Sequence, residues 1–474
     1  MTSIQNNSLI EFLIEADTLS IPYVVWKGIH EVELCLNRKS DLDIFVPKKF
    51  ETSFLKLAQE MFWIKATNPV AVFKDIEHLF LFDEGNSPFH LHVYFGVVTG
   101  ESWIKEFRLP LDEFLTTNRI RDEHGLYVLN ERARAYVFAL RHILKCGSIT
   151  SRALYLREVK TYESEWKSCN SSVSQFKGYG PILLDDVICN SGLGNGFKLS
   201  SFVNSLKLRS RLSPFLRIGR PLLPIYRSVS FIVRAFNKFF LKRKKVLRPQ
   251  GIIIAISGVD GSGKSSMVES VDLCLSRFLT IKRLSLGKPQ GKFIEFLRKF
   301  LYRRRPVNKL TTTGKLTSKT NMFKGIALLI LSCLRLFAAW KSQYYANRGY
   351  VVLVDRWPTK TLGKMDGPKI YVNNKSNFVV RLLSTFEKNI YSAIPVADIC
   401  FFLEVGVDTA IERNAARLKE DKETEVEIRK RYDQNKEFSP TAKKIIVFNN
   451  DGDFRDKKRE LLLLIRKELV EIGG

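Results

Sequence analysis

Ile252-Ile253-Ile254-Ala255-Ile256-Ser257-Gly258-Val259-Asp260-Gly261-Ser262-Gly263-Lys264-Ser265-Ser266 is the stretch on which the fold turns. Its apolar first part reads as a strand buried on both faces, and a helical run to about Phe278 follows the lysine. Between them lies G-x-x-x-x-G-K-[ST], in the strand, loop and helix context that the motif requires. Glycines there let backbone N–H groups converge on a phosphate chain, and the helix N-terminus adds partial positive charge. Lys264 can reach the β and γ phosphates and the Ser265 hydroxyl can ligate Mg²⁺. The expected cradle is Gly258, Gly261, Ser262, Gly263, Lys264, Ser265 and Ser266.

Downstream, Tyr350 to Val354 runs into Asp355-Arg356-Trp357, Ile399 to Leu403 into Glu404, and Lys444 to Phe448 ends near Asn449. Apolar runs alternating with helical stretches predict a parallel sheet with helices on both faces. Ligands bind such sheets at the carboxyl ends of the strands, where Asp260, Asp355 and Arg356 fall.

This ordered series resembles the thymidylate kinase-like family of P-loop kinases, over roughly residues 251–474. Gly258 to Ser266 matches its phosphate loop, including Asp260, and Arg335 to Lys341 the helix before its Asp-Arg strand. Val354-Asp355-Arg356-Trp357 matches the Asp-Arg-aromatic element. Pro395 to Asp398 leading into Phe401 to Val405 resembles the strand before the lid. Arg413, Arg417, Asp421 and Lys422 resemble the lid, and Arg431-Tyr432 its closing helix. The resemblance implies transfer of a γ-phosphoryl group from ATP, with Mg²⁺, to a small-molecule phosphate acceptor, and a homodimer through this domain. In that reading Lys264 and Arg417 supply positive charge, and Arg413 joins the nucleotide site. Arg356 clamps an anionic group of the acceptor, and Asp260 and Asp355 orient Mg²⁺, its waters or an acceptor hydroxyl. The sequence departs from the family at Lys341, where an Arg usually helps hold the base, and over Pro358 to Pro368. Both departures disfavour dTMP as the acceptor.

The 474 residues predict two or three domains, and 45% hydrophobic with 26% charged residues excludes collagen-like or wholly disordered chains. Charge is uneven. Residues 1–130 hold 12 basic and 19 acidic side chains, about −7, so with a total of +27 the remainder carries about +34. Between Asn204 and Gln250 stand 13 Lys or Arg and no acid, with Pro214, Pro221, Pro224 and Pro249. This reads as a basic helical connector at 168–248, between domains at 1–167 and 249–474. Within it Arg227, Arg234, Lys238 and Lys242 fall near one helical face, and apolar residues fill much of the rest. Such a helix can lie on an anionic membrane surface or pack on a neighbouring domain. No recognisable nucleic-acid module accompanies the charge.

Seven scattered cysteines without a CxxC pair fit a reducing compartment. The N-terminus lacks the pattern of a signal peptide, and the apolar run Ile326 to Leu334 is too short to span a bilayer. A cytoplasmic protein is expected, with peripheral contact at the inner membrane face through residues 204–250.

Near the start, Tyr23 to Gly28 precedes Ser40-Asp41-Leu42-Asp43-Ile44-Phe45-Val46, and alternation puts Asp41 and Asp43 on one side of a strand. Two such carboxylates can hold the divalent metals of nucleotidyl transfer. The segment resembles the polymerase β-like minimal nucleotidyltransferases, an α+β fold, over about residues 8–148. That family completes its metal site with a third carboxylate on a neighbouring strand. The matching strand here, Phe89 to Phe95, carries His90 and His92, with Asp83 and Asp75 as other candidates. The whole chain therefore reads as a kinase fused to a nucleotidyltransferase-like domain. A nucleotide-gated binding protein with membrane-surface contact and a plain dTMP kinase are the rival readings.

Overall fold

The computed structural model describes residues 8–82, 87–101, 104–145, 176–190, 200–259, 261–287, 322–374, 376–415, 425–435 and 439–473. Asp260, Asp83, Arg417, Asp421 and Lys422 lie outside them. The chain divides into two compact units between Lys245 and Val246.

The first unit is built on strands β1 (Val24–Lys27), β2 (Leu42–Phe45), β3 (Ile64–Ala66), β4 (Ile76–Leu81), β5 (Phe89–Tyr94), β8 (Arg119–Arg121) and β9 (Tyr127–Leu129), with a separate β6 (Val97–Thr99) and β7 (Phe107–Leu109) pair. The sheet order is β3-β4-β5-β2-β1-β9-β8, with β2 parallel to β5 and antiparallel to β1. Because successive side chains point to opposite faces, Leu42, Ile44, Leu91 and Val93 pack with Leu9, Phe12, Phe54 and Leu57 of the helices Ser8–Thr18 and Glu51–Glu60. The other face carries Trp26, Phe45 and Tyr94 against Tyr136, Leu140 and Leu144 of the helix Glu131–Lys145. Asp43, His90 and His92 share the strand parity of this second face.

The basic stretch begins inside this unit. Leu208 and Leu212 are buried in its core, and Arg209 pairs with Glu106 and caps the Leu144 carbonyl. The helix Leu223–Phe236 that follows buries none of its residues and continues into a short π-helical turn, Asn237–Leu241. Arg227 bonds back to Glu101 at 2.5 Å, while Lys238 and Lys242 are exposed. Phe239 and Phe240 are 69% and 74% exposed, beside exposed Ile225, Val229 and Ile232.

The second unit is a five-stranded, wholly parallel sheet. Its strands are β10 (Ile252–Gly258), β11 (Ile281–Ser285), β12 (Val351–Asp355), β13 (Ala397–Glu404) and β14 (Ala442–Asn449), in the order β11-β12-β10-β13-β14. Every residue of central β10 is buried, as a strand covered on both faces must be. The helices Met322–Ala346 and Phe378–Ser392 cover the face bearing Ile253, Ala255, Val352 and Val354, and Lys264–Leu275 packs on β10 and β12. The mixed α/β class predicted for the chain is therefore what the structure has. One expectation changes: the apolar run at 326–334 lies within a 25-residue helix that by length and composition alone could cross a bilayer. Within the unit this helix packs on Phe378–Ser392 and on the sheet, and Ser332 meets Glu387 between the two helices.

Candidate functional site

The carboxyl end of β10 turns sharply into the loop at 258–263. Gly261 and Gly263 adopt positive φ, 94° and 84°, and a Cβ on Gly263 would stand 2.7 Å from Asn450 Nδ2. Glycine is needed there for conformation and for space. Asn450, buried just past β14, donates to the Ser262 carbonyl at 2.7 Å, and Arg413 donates to the Asn450 carbonyl at 3.1 Å. The loop is thus pinned from behind by β14 and the helix Val407–Ala415. Lys264 opens the helix Lys264–Leu275, and its ammonium donates to the Val259 carbonyl at 2.6 Å, across the loop's own turn.

Two buried oxygens around the loop have no hydrogen-bond partner among the described residues: Ser262 Oγ and Asp355 Oδ1. Unmet buried acceptors are costly and point to a ligand that completes them. Ser265 is exposed at the first turn of the helix, and Asp355 ends the neighbouring strand, in register with Ile256. This oxygen-donor set suits a hard cation such as Mg²⁺.

Arg356 follows Asp355 with φ 66°, a left-handed conformation that a non-glycine residue seldom takes, and its amide donates to the Ile256 carbonyl at 3.0 Å. Such strain at a strand end is common where a side chain must be aimed. The Arg356 side chain runs so close to Gly287 that a Cβ there would meet its Cδ at 2.6 Å. Beside it Arg335 donates to the carbonyls of Leu286 and Gly287 at 3.0 and 2.9 Å. Both arginines share Asp366 as counter-ion, at 3.3 Å from Arg335 and 3.8 Å from Arg356. Lys341, at the position where the resembled family usually has an arginine, is exposed. Sequence pattern alone does not mark Asn450, Arg335 and Asp366 as site residues. Arg335 is nevertheless conspicuous as a charge inside the apolar run Ile326 to Ala339, and Asn450 follows a parallel strand's carboxyl end.

In the first unit β2 and β5 bring Asp43 opposite His92. Asp43 Oδ1 lies 2.9 Å from His92 Nδ1 and 2.8 Å from Lys27 Nζ, with side-chain exposures of 18%, 12% and 16% for Asp43, His92 and Lys27. Asp41, Asp43 and His92 offer ligand atoms within 4.8 Å of one another, close enough for one ion. His78 stacks on His92, with ring centroids 4.4 Å apart, and shares a hydrogen bond with His90 at 3.0 Å. Burial pushes His92 down to about 3 and His90 to about 4, and holds His78 far below the usual imidazole range. Burial opposes ionisation of Asp43, but Lys27 and His92 more than offset it and keep the carboxyl well below its ordinary value. Asp75, the other described candidate, pairs with Lys48 and Arg108 instead.

No family model matches the chain. Over 168 residues it is 24% identical to the uncharacterized ATP-binding protein YghS of Escherichia coli K12, covering 33% of this chain and 69% of that one. Over 171 residues it is 25% identical to the uncharacterized ATP-binding protein YghR of the same strain, covering 34% and 68%. Among solved structures it is similar to a thymidylate kinase from Candida albicans, at 18% identity, 47% of this chain, 93% of that chain and TM-score 0.29. It is also similar to a deoxyadenosine kinase from M. mycoides with bound dATP, at 17% identity, 45% and 99% coverage and TM-score 0.27.

Proposed function

We propose that the second unit is an ATP- and Mg²⁺-dependent phosphotransferase acting on an anionic small molecule, a nucleotide or sugar derivative. The observation that carries this reading is the phosphate loop itself: pinned glycines, Lys264 at a helix start, and the orphaned oxygens of Ser262 and Asp355 beside them. The ATP-binding relatives support the choice of nucleotide. Phosphoryl transfer asks a protein for positioning and charge neutralisation more than for covalent chemistry. Lys264 would leave the Val259 carbonyl to meet the phosphates, and the loop amides would hold them. Ser265 and Asp355 would hold Mg²⁺, which when bound neutralises developing phosphate charge. Arg356 and Arg335, kept in place by Asp366, would receive the acceptor's anionic group in the fork geometry that guanidinium gives.

The first unit is read as nucleotidyltransferase-like, and the protein as cytoplasmic, with the exposed Leu223–Phe236 helix resting on the anionic inner face of the membrane. The phosphotransferase reading is tested by ADP release in a screen of nucleoside monophosphates, sugars, sugar phosphates and lipid-linked glycans. Lys264→Ala should lower turnover by about 10²–10³-fold, the scale seen on deleting one transition-state donor. Wild-type turnover absent with every acceptor, or equal in the variant, sinks it.

A further inference from the structure

The first unit gathers cations that the phosphate loop does not use. Lys27 ends β1, Lys105 precedes β7, and Lys245 lies near the end of the basic stretch, yet they meet on one face of the sheet. Lys27 and Lys105 both donate to the same phenol oxygen, Tyr94 Oη, at 2.7 and 2.9 Å. Lys245 Nζ lies 3.0 Å from His78 Nε2, and His78 stacks on His92. Against these three ammonium groups stand Asp43, already paired with Lys27, and the exposed Asp41. Neither Lys105 nor Lys245 forms an ion pair with a carboxylate among the described residues. Burial lowers the proton affinity of all three, Lys245 to about 8, and an anion joining them would restore their full charge and compensate its burial.

A divalent ion fits this arrangement poorly. Although Asp41, Asp43 and His92 stand close enough for one ion, it would bind Asp43 beside the Oδ1 that Lys27 and His92 already share, and so next to an ammonium group. Its third donor would be an imidazole, a ligand that suits Zn²⁺ better than Mg²⁺.

We propose that this side-chain cluster binds the phosphoryl group of a small phosphorylated molecule without a metal. Lys27, anchored on Asp43, places a fixed positive charge beside that carboxylate, and Lys105 and Lys245 meet the phosphoryl oxygens. The column His78, His92 and Tyr94 forms the wall beside them. This site is separate from the phosphotransferase reading and survives its failure.

The test uses the full chain carrying Lys264→Ala, so that the phosphate loop is disabled, titrated with pyrophosphate in a calorimeter in the presence of EDTA. Binding is expected without metal, and Lys105→Gln or Lys245→Gln should each weaken it by about tenfold or more, the scale of one charge-assisted hydrogen bond. Absence of heat overturns the proposal, as does heat unchanged by both lysine variants. Heat that appears only with Mg²⁺ or Mn²⁺ and is lost in Asp43→Asn overturns it too, by restoring the metal site.

Discussion

Arg335 shows how one residue can tie a site together. It sits in an apolar helix, 13% exposed, and spends its guanidinium on two carbonyls past β11, on Asp366 and on the Tyr391 hydroxyl at 2.5 Å. Replacing it with methionine would keep the volume but leave the buried Asp366 with Arg356 alone, at 3.8 Å, and deprive the Leu286 and Gly287 carbonyls of this donor. Arg335→Met should therefore cost about 3–5 kcal/mol, the range for removing one partner of a buried pair. Urea unfolding of the full chain measures it, and a loss below about 1 kcal/mol, the worth of an ordinary surface pair, contradicts the assigned role. Lysine cannot replace the planar fork, so Arg335→Lys should recover only part of the loss. At this scale the sequence was most informative where chemistry is local: Gly258 to Ser266 stand together in the chain and in space. Asn450 and Lys245 reach their partners from distant segments, and no local pattern marks them.

At the level of elements, β10, β12, β13 and β14 were readable because each is an apolar run, and the structure extends them by only a few residues. The edge strand β11, Ile281-Lys282-Arg283-Leu284-Ser285, was not, since half-solvated edges keep charged residues and lose the signal. In the first unit, β2 and β5 were found but their neighbours were not. His78 on β4 therefore stayed invisible as the partner of His90 and His92. That histidine column carries a consequence for acid stability. Folding holds His78, His90 and His92 neutral by burial, whereas the unfolded chain protonates near the ordinary value, about 6.5. The unfolded state thus binds more protons below that value. Stability of the first unit is full above pH about 6.5 and falls toward pH 4, by at most about 1.4 kcal/mol per pH unit for each imidazole. Thermal unfolding followed from pH 7.5 to 4.5 (about one proton's slope per histidine) should show this decline, and His78→Asn should flatten it. A level profile in the wild-type chain contradicts the picture.

Across the whole molecule the charge asymmetry seen in the sequence, about −7 in residues 1–130 against about +34 beyond, becomes a chain with a basic, apolar helix that its own unit leaves uncovered. Exposed Phe239 and Phe240 beside Lys238 and Lys242 have the composition that inserts at an anionic interface. Co-sedimentation with vesicles containing phosphatidylserine should retain the protein at low salt and release it at high salt, and Phe239→Asp with Phe240→Asp should abolish retention. Equal recovery with neutral and anionic vesicles rules out the bilayer reading. The second unit has a different lesson in its ladder. Asp355 and Arg356 leave the strand directly beside the one that feeds the phosphate loop, with Ile256 paired to Asp355 and bonded to Arg356. In the proposed phosphotransferase, donor and recipient anchors would consequently ride on adjacent strands, about 4.8 Å apart, in a framework that does not stretch. Adapting this scaffold to a bulkier recipient would mean whittling the side chains around Asp366, because the rails beneath them cannot be prised wider.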